Sequence, residues 1–349
     1  MDTFEINGRT IGPEQPAYLV AELSGNHNQD FDQAVEMVKA AAEAGADAVK
    51  LQTYTPDTIT IDCDDEHFRI GEGTVWEGRT LYDLYGEAYT PWEWQPELKA
   101  IANELGMDLF STPFDFTAVD FLEEMGVPCY KIASFEIVDL PLIRRVAATG
   151  KPMIISTGMA SLAEIGEAVT TAREAGCDQL CLLKCTSAYP ASPEMMNLRT
   201  IPDLVEQFGV VAGLSDHTLS PVVPAAAVAL GASVIEKHFT LDRALEGPDS
   251  TFSLEPQEFK SMVESVRTVE KALGSVSYGS GEGEKASRAF RRSLFVVQDM
   301  EEGEEFTEEN VRSIRPGAGL HPRHLEDVLG SRAKVAIARG TPLSWDLIA

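Results

Sequence analysis

Residues 107–134, MDLFSTPFDFTAVDFLEEMGVPCYKIAS, hold one complete repeat of the pattern that decides the fold. A short apolar run ends in Ser111 and Thr112, a segment with helical periodicity follows, Gly126 stops it, and a second apolar run ends around Lys131 and Ser134. Short β-branched runs separated by longer amphipathic segments are the signature of parallel βα units. Working outward, the same unit recurs: AYLVAEL ends near Glu22, DAVKLQT near Lys50, PMIIST near Ser156, QLCLLKCT near Lys184, VVAGLS near Ser215 and SVIEKHF near His238. The intervening FDQAVEMVKAAAEAG, PELKAIANELG and AVDFLEEMG each close on a glycine, which can take the left-handed conformation that caps a helix C-terminus. Eight strand–helix units in about 270 residues predict an α/β fold of the (β/α)8 TIM-barrel type. An open doubly wound sheet is the alternative, but it gives no reason for eight units and no GxGxxG follows the first strand.

The rest of the 349 residues reads as a linker and a small second domain. SVSYGSGEGEKAS, residues 275–287, is rich in Gly, Ser and Glu and nearly free of apolar side chains. From residue 288 to 349, β-like runs (RRSLFVV, KVAIARG) alternate with turn signals (EEGEEF, RPGAG), as in a β-rich module small enough to need docking or dimerisation for support. The expected division is thus 1–274, 275–287 and 288–349.

Composition removes several function classes. Acidic residues number 56 against 28 basic ones, for a net charge of −28, the opposite of what phosphate neutralisation by a nucleic-acid binder requires. No apolar stretch reaches the roughly 18 to 20 residues of a membrane helix, and MDTFEINGRT lacks the basic start and apolar run of a leader, so a cytoplasmic protein is expected. Five cysteines fit reduced core thiols better than a disulfide framework, and Cys177, Cys181 and Cys185 on a strand would not make a tetrahedral zinc site.

The chemistry sits at the C-terminal ends of the apolar runs, which a barrel gathers onto one face. Glu22, Lys50, Gln52, Ser111, Thr112, Lys131, Ser134, Glu136, Ser156, Lys184, Thr186, Ser215, His217, Glu236 and His238 would share that bowl. Lys50, Lys131 and Lys184, set among hydroxyls in a chain short of lysine, suit a small multiply charged anion such as a phosphate with a nearby carboxylate. A Schiff-base lysine, as in an aldolase, is the competing use of Lys131 or Lys184. His217 and His238 end neighbouring strands and could share one divalent metal with positions left open, with Glu22 and Asp249 as further acids. His27 in SGNHN could orient substrate or simply shape a turn.

The ordered series AELSGNHN, GADAVKLQTYTPDT, FSTPFD, YKIASFE, STGMA, KCTSAYP, GLSDHT, EKHFT and GPDSTFSLEP resembles the phosphoenolpyruvate-dependent nonulosonic (sialic-acid-like) acid synthases over essentially the whole chain. Residues 288–349 resemble the SAF, or antifreeze-like, domain of those enzymes, with RPGAG as its turn. The resemblance implies a homodimer in which each SAF domain closes the partner's barrel. It implies phosphoenolpyruvate contacts from Lys50, Thr112, Lys131, Ser134, Ser156 and Ser215, and a manganese-type ion, or magnesium or cobalt, on His217 and His238. It further implies sugar or active-site positions at Gln52, Glu136, Lys184, Ser187, Tyr189 and Asp249, a catalytic carboxylate at Glu22, and an arginine for the sugar's acyl group at Arg315.

Within the family, KCTS at 184–187 stands where sialic acid synthases usually carry HCTN, and GPDS at 247–250 where they carry GPDH. Together with GTVWEGRTLYDLYGEAYTPWEW at 73–94, these departures resemble the pseudaminate-forming branch, whose sugar is a 2,4-diacetamido-2,4,6-trideoxy hexose. N-acetylneuraminate or legionaminate formation, from N-acetylmannosamine or a 2,4-diacetamido analogue, is the alternative.

Acidic residues spread along the whole chain also match a surface kept soluble at high salt. The thermal midpoint should therefore rise as salt goes from tens of millimolar to molar, because screening relieves the repulsion of so large a net charge. A midpoint indifferent to salt would remove that reading.

Overall fold

The computed structural model describes residues 3–245, 247–279 and 281–349. A short antiparallel hairpin, β1 (Phe4–Ile6) and β2 (Arg9–Ile11), precedes eight parallel strands: β3 (Tyr18–Glu22), β4 (Ala48–Thr53), β5 (Asp108–Pro113), β6 (Tyr130–Ile132), β7 (Met153–Ser156), β8 (Leu180–Cys185), β9 (Val211–Asp216) and β10 (Val234–His238). They close in chain order, with β10 pairing back onto β3, so the barrel has no free edge. The expected (β/α)8 fold is the one observed.

Local sequence explains the helices between them. Asp30 caps Phe31–Glu43 by accepting from Gln33 N, Asp115 caps Phe116–Met125 by accepting from Ala118 N, and Ser161 with Glu164 forms a capping box on Leu162–Glu174. Gly126 ends its helix at φ 68° and ψ 49°, the left-handed geometry foreseen for it. The strands are almost fully buried along their length, because one face fills the barrel and the other meets the helices.

Contacts divide the chain after Gly274. In the unit Ser275–Ala349, β11 (Ser293–Val296) pairs antiparallel with β12 (Val311–Ile314), over a small core that includes Leu294, Val296, Phe306, Val328 and Leu343. KVAIARG, expected as a β-like run, forms no regular strand; Ile337 makes a single bridge to Met300, whose backbone it bonds in both directions at 2.8 Å. The stretch expected as a linker carries a helical turn, Glu282–Glu284, with Ser280 outside the described residues.

Inside the barrel, Gly213 makes room for its neighbours. A Cβ there would press on the Val234 carbonyl and lie 2.6 Å from Leu183 Cδ2. Gly213→Ala should cost about 2–3 kcal/mol, since a backbone carbonyl must shift, and should lower the thermal midpoint by several degrees. An unchanged midpoint would show that the barrel relaxes around the methyl.

Candidate functional site

Alternation along each strand decides which strand-end side chains reach the bowl. A cavity of about 490 Å³ is lined by Glu22 of β3, Lys50 and Gln52 of β4, Lys131 of β6, Ser156 of β7, Cys185 of β8, Ser215 of β9, and Glu236 and His238 of β10. Ser134, Glu136, Tyr189, His217 and Asp249 join from the loops beyond the strands. The register sets the nearest neighbours: Glu22 stands level with Lys50 on one side and His238 on the other, and Glu236 stands level with Ser215.

Two buried lysines are matched by two buried carboxylates. Lys50 Nζ lies 2.6 Å from Glu22 Oε2 and 3.9 Å from Glu236 Oε1, while Lys131 Nζ lies 3.4 Å from the same Glu236 oxygen. Lys50 also donates to Thr112 Oγ1 at 3.2 Å, and Ser215 Oγ donates to Glu236 Oε1 at 3.2 Å. Gln52 Nε2 bridges Glu22 Oε1 at 2.9 Å and Ser24 Oγ at 3.1 Å, and the Ser24 hydroxyl donates in turn to Asp249 Oδ2.

These neighbours split the acids into two kinds. Burial raises Glu22 more than Lys50 pulls it down, and the charge of Glu236 adds to the rise. Burial acts to raise Glu236 as well, but Lys131 and Lys50 together bring it below the ordinary carboxylate value. Burial also raises Asp249 and carries Glu136 up to about 7, with Glu136 Oε2 sealed from solvent and unpartnered. Among the bases, burial lowers Lys131 despite the attraction of Glu236, whereas Glu22 and Glu236 outweigh burial at Lys50 and raise it.

The two imidazoles stand 5.3 Å apart between ring centroids. His217 Nδ1 donates to the Thr186 carbonyl at 2.9 Å, which leaves the lone pair on Nε2, and His238 Nδ1 is buried without a partner. Burial, with the positive charge of Lys50 adding to it, keeps His238 neutral. Two imidazoles with free lone pairs fit a divalent ion. Among the described residues no group of three or more His, Cys, Asp or Glu converges as a complete ligand set, so water and substrate would supply the other positions.

Several residues expected in the bowl lie elsewhere. Lys184 does not line the cavity: it precedes the inward-facing Cys185 on β8, and its Nζ bonds the Cys185 carbonyl at 2.6 Å and Thr186 Oγ1 at 3.2 Å. Thr112 and Ser187 also stand back from the lining, Thr112 as the acceptor for Lys50 and Ser187 with its Oγ 4.0 Å from Cys185 Sγ. Ser111 bonds Thr53 Oγ1 at 2.6 Å instead of facing the cavity. His27 is fully buried, 3.0 Å from Thr90 Oγ1 and held neutral by burial at about 4, a structural histidine. Arg315, which the resemblance assigns to a partner's barrel and not to this one, belongs to the second unit, directly after β12.

Two residues carry more of the site than their sequence positions announced. Glu236 pairs with both lysines, and its signal was the two-residue period from His238. Cys185 faces the cavity, where burial acts to raise its thiol but hydrogen bonding to His217 brings it down to about 7.

The NeuB family model matches residues 37–278, and the SAF domain model matches residues 291–349. The chain belongs to the NeuB family. It is 46% identical over 333 residues to the pseudaminic acid synthase of Helicobacter pylori, covering 95% of this chain and 98% of that one. It is 45% identical over 330 residues to the pseudaminic acid synthase of Campylobacter jejuni serotype O:23/36, covering 95% and 96%. N,N'-diacetyllegionaminic acid synthase of Legionella pneumophila is more distant, at 39% over 350 residues and 99% and 98% coverage. Among solved structures, the Bacillus subtilis spore coat polysaccharide biosynthesis protein SpsE superposes with a TM-score of 0.68 at 37% identity, covering 100% and 99% of the two chains. The Leptospira borgpetersenii N-acetylneuraminic acid synthetase superposes at 0.73 with 30% identity, covering 82% and 95%.

The raised carboxyl of Glu136 has a sign that can be checked. Between its ordinary value near 4.5 and about 7 the folded chain holds a proton the unfolded chain has lost, so its contribution to stability falls as pH rises through that window. Glu136→Gln, which cannot ionise, should therefore gain stability relative to the parent as pH rises from about 5 to about 8. Denaturant titrations at both pH values measure this, and a pH-independent difference would contradict the buried-carboxyl reading.

Proposed function

We propose that this chain is a pseudaminic acid synthase. It condenses phosphoenolpyruvate with 2,4-diacetamido-2,4,6-trideoxy-β-L-altropyranose and water to give pseudaminic acid and phosphate. The observation that carries the reading is the 45–46% identity to two pseudaminic acid synthases across 95% of the chain, against 39% to a legionaminic acid synthase. The cavity chemistry supports it, because two cationic lysines beside Ser134, Ser156 and Ser215 suit an anion carrying both phosphate and carboxylate.

The residues divide the work by charge. Lys50 and Lys131 hold phosphoenolpyruvate, and Glu236 keeps both side chains in place. His217 and His238 would hold a divalent ion, manganese in the first instance, with magnesium or cobalt as substitutes. What such an ion supplies when bound is Lewis-acid polarisation of the open-chain sugar aldehyde. A carbon–carbon bond then forms between C3 of phosphoenolpyruvate and the aldehyde carbon, whose oxygen takes up a proton. Water adds to C2, the bond between C2 and the phosphate oxygen breaks, and phosphate leaves as C2 becomes a ketone. Glu22 lies beside Lys50, where it can stabilise positive charge at C2 or handle the proton of the incoming water. Gln52, Glu136, Tyr189 and Asp249 face the sugar. The enzyme works in the cytoplasm as a homodimer in which the SAF unit covers the partner's barrel, bringing Arg315 to the sugar's acyl group.

Phosphate release from phosphoenolpyruvate with manganese tests this directly, with the 2,4-diacetamido-trideoxy-altrose, N-acetylmannosamine and no sugar in parallel. Release with the first sugar alone, abolished by a chelator, is the expected result. Release only with N-acetylmannosamine would keep the chemistry and overturn the substrate, and no release with any sugar would overturn the enzyme assignment.

A further inference from the structure

Ser24 holds a backbone conformation that does not suit serine. The turn Leu23–Asn26, directly after β3, is closed by Asn26 N donating to Leu23 O at 3.2 Å, and its first central residue is Ser24 at φ 49°. Turns ordinarily meet a positive φ at that position with glycine, asparagine or aspartate, because a Cβ is strained there. A glycine stands one residue on, at Gly25, yet serine keeps the strained place. Strain held at the wall of a site points to a task for the side chain that bears it.

Ser24 is buried, lines the cavity and forms the middle of a hydrogen-bonded chain with a fixed polarity. Asp249 Oδ2 accepts from Gly25 N at 3.5 Å and from the Ser24 hydroxyl, which has only one hydrogen to give. Towards Gln52, therefore, Ser24 Oγ can act only as an acceptor. That requirement turns the Gln52 amide nitrogen inward, and its two hydrogens go to Ser24 Oγ at 3.1 Å and Glu22 Oε1 at 2.9 Å. With both donors used inside the protein, Oε1, an acceptor, is what Gln52 has left to offer a ligand. Ionised phosphoenolpyruvate brings acceptors only, so the ligand this oxygen suits is the sugar, which brings hydroxyl and amide donors.

We infer that Ser24 is a positioning residue for the reaction, one that orients the Gln52 amide so that its carbonyl oxygen faces a hydrogen-bond donor of the sugar. The inference rests on the function proposed above and deepens it. Without the Ser24 hydroxyl, Asp249 loses a donor and one Gln52 hydrogen loses its acceptor. The amide is then free to turn over and set its own N–H groups against the donors of the sugar, leaving both sides unpaired.

Ser24→Gly and Ser24→Ala both remove the hydroxyl but differ in strain, because glycine adopts a positive φ freely and alanine does not. Thermal midpoints, together with phosphate release from phosphoenolpyruvate with manganese and 2,4-diacetamido-2,4,6-trideoxy-altrose, separate the two effects. Ser24→Gly should melt above Ser24→Ala, yet both should lose about tenfold in kcat/KM for the sugar, the scale of one hydrogen bond to a charged group. KM for phosphoenolpyruvate should not change. Ser24→Cys, which keeps a weak donor under the same strain as alanine, should fall between the parent and Ser24→Ala in kcat/KM. Activity that follows stability, with Ser24→Gly at the parent's kcat/KM, would overturn the inference and leave the proposed function standing, and so would an equal loss in KM for phosphoenolpyruvate. If Ser24→Gly folds poorly, the cysteine and alanine variants decide alone, and equal kcat/KM in those two would overturn it. No phosphate release by the parent with this sugar would instead overturn the function on which the inference rests.

Discussion

The barrel mouth depends on the match between Lys50 and Lys131 on one side and Glu22 and Glu236 on the other. Each of these four charges is buried, and an unpaired ion in such a place costs several kcal/mol. Glu236 is the shared partner, 3.4 Å from one lysine and 3.9 Å from the other. Replacing its anion with a neutral group would leave Lys131 without its carboxylate partner, so the barrel mouth is held together by this charge balance.

A second buried pair performs a related task on the outer face of the same strands. Asp216 and Lys237 are completely buried and 2.6 Å apart, one beside His217 and the other beside His238 in sequence. Asp216 also accepts from Thr218 N and Thr218 Oγ1, and Lys237 donates to the Thr218 carbonyl. The loop leaving β9 is thereby tied to β10, and the imidazoles, 5.3 Å apart, occupy the inward positions next to this clamp. An arrangement of this kind fixes side-chain geometry before any ligand arrives, which is how preorganised sites avoid reorganisation during reaction.

The distribution of polarity in the cavity follows from how it is built. Strand ends are rigid and close together, so they can hold charges in register with one another. Ile70, Trp76, Leu81 and Leu84, which also line the cavity, come from a single long connection after β4.

The order and number of apolar runs determined the barrel, because eight βα units leave no other economical way to bury every strand on both faces. The same periodicity placed Glu22, Lys50, Lys131, His217 and His238 at one rim, and composition alone argued against nucleic acid as a partner. What only the tertiary structure decided was the facing of individual side chains. Lys184 and Cys185 are neighbours on one strand, and the pleat turns Cys185 into the cavity and Lys184 away from it, which residue type alone does not reveal. Glu236 became the hub of two lysines only when closure brought β4, β6 and β10 around one space, and Ile70, Leu81 and Leu84 joined the cavity lining only when a loop remote in sequence from the histidines folded across it. Periodicity is a local property of the chain and can be read from it, whereas charge pairing and cavity shape depend on distances between residues that meet only after the barrel closes.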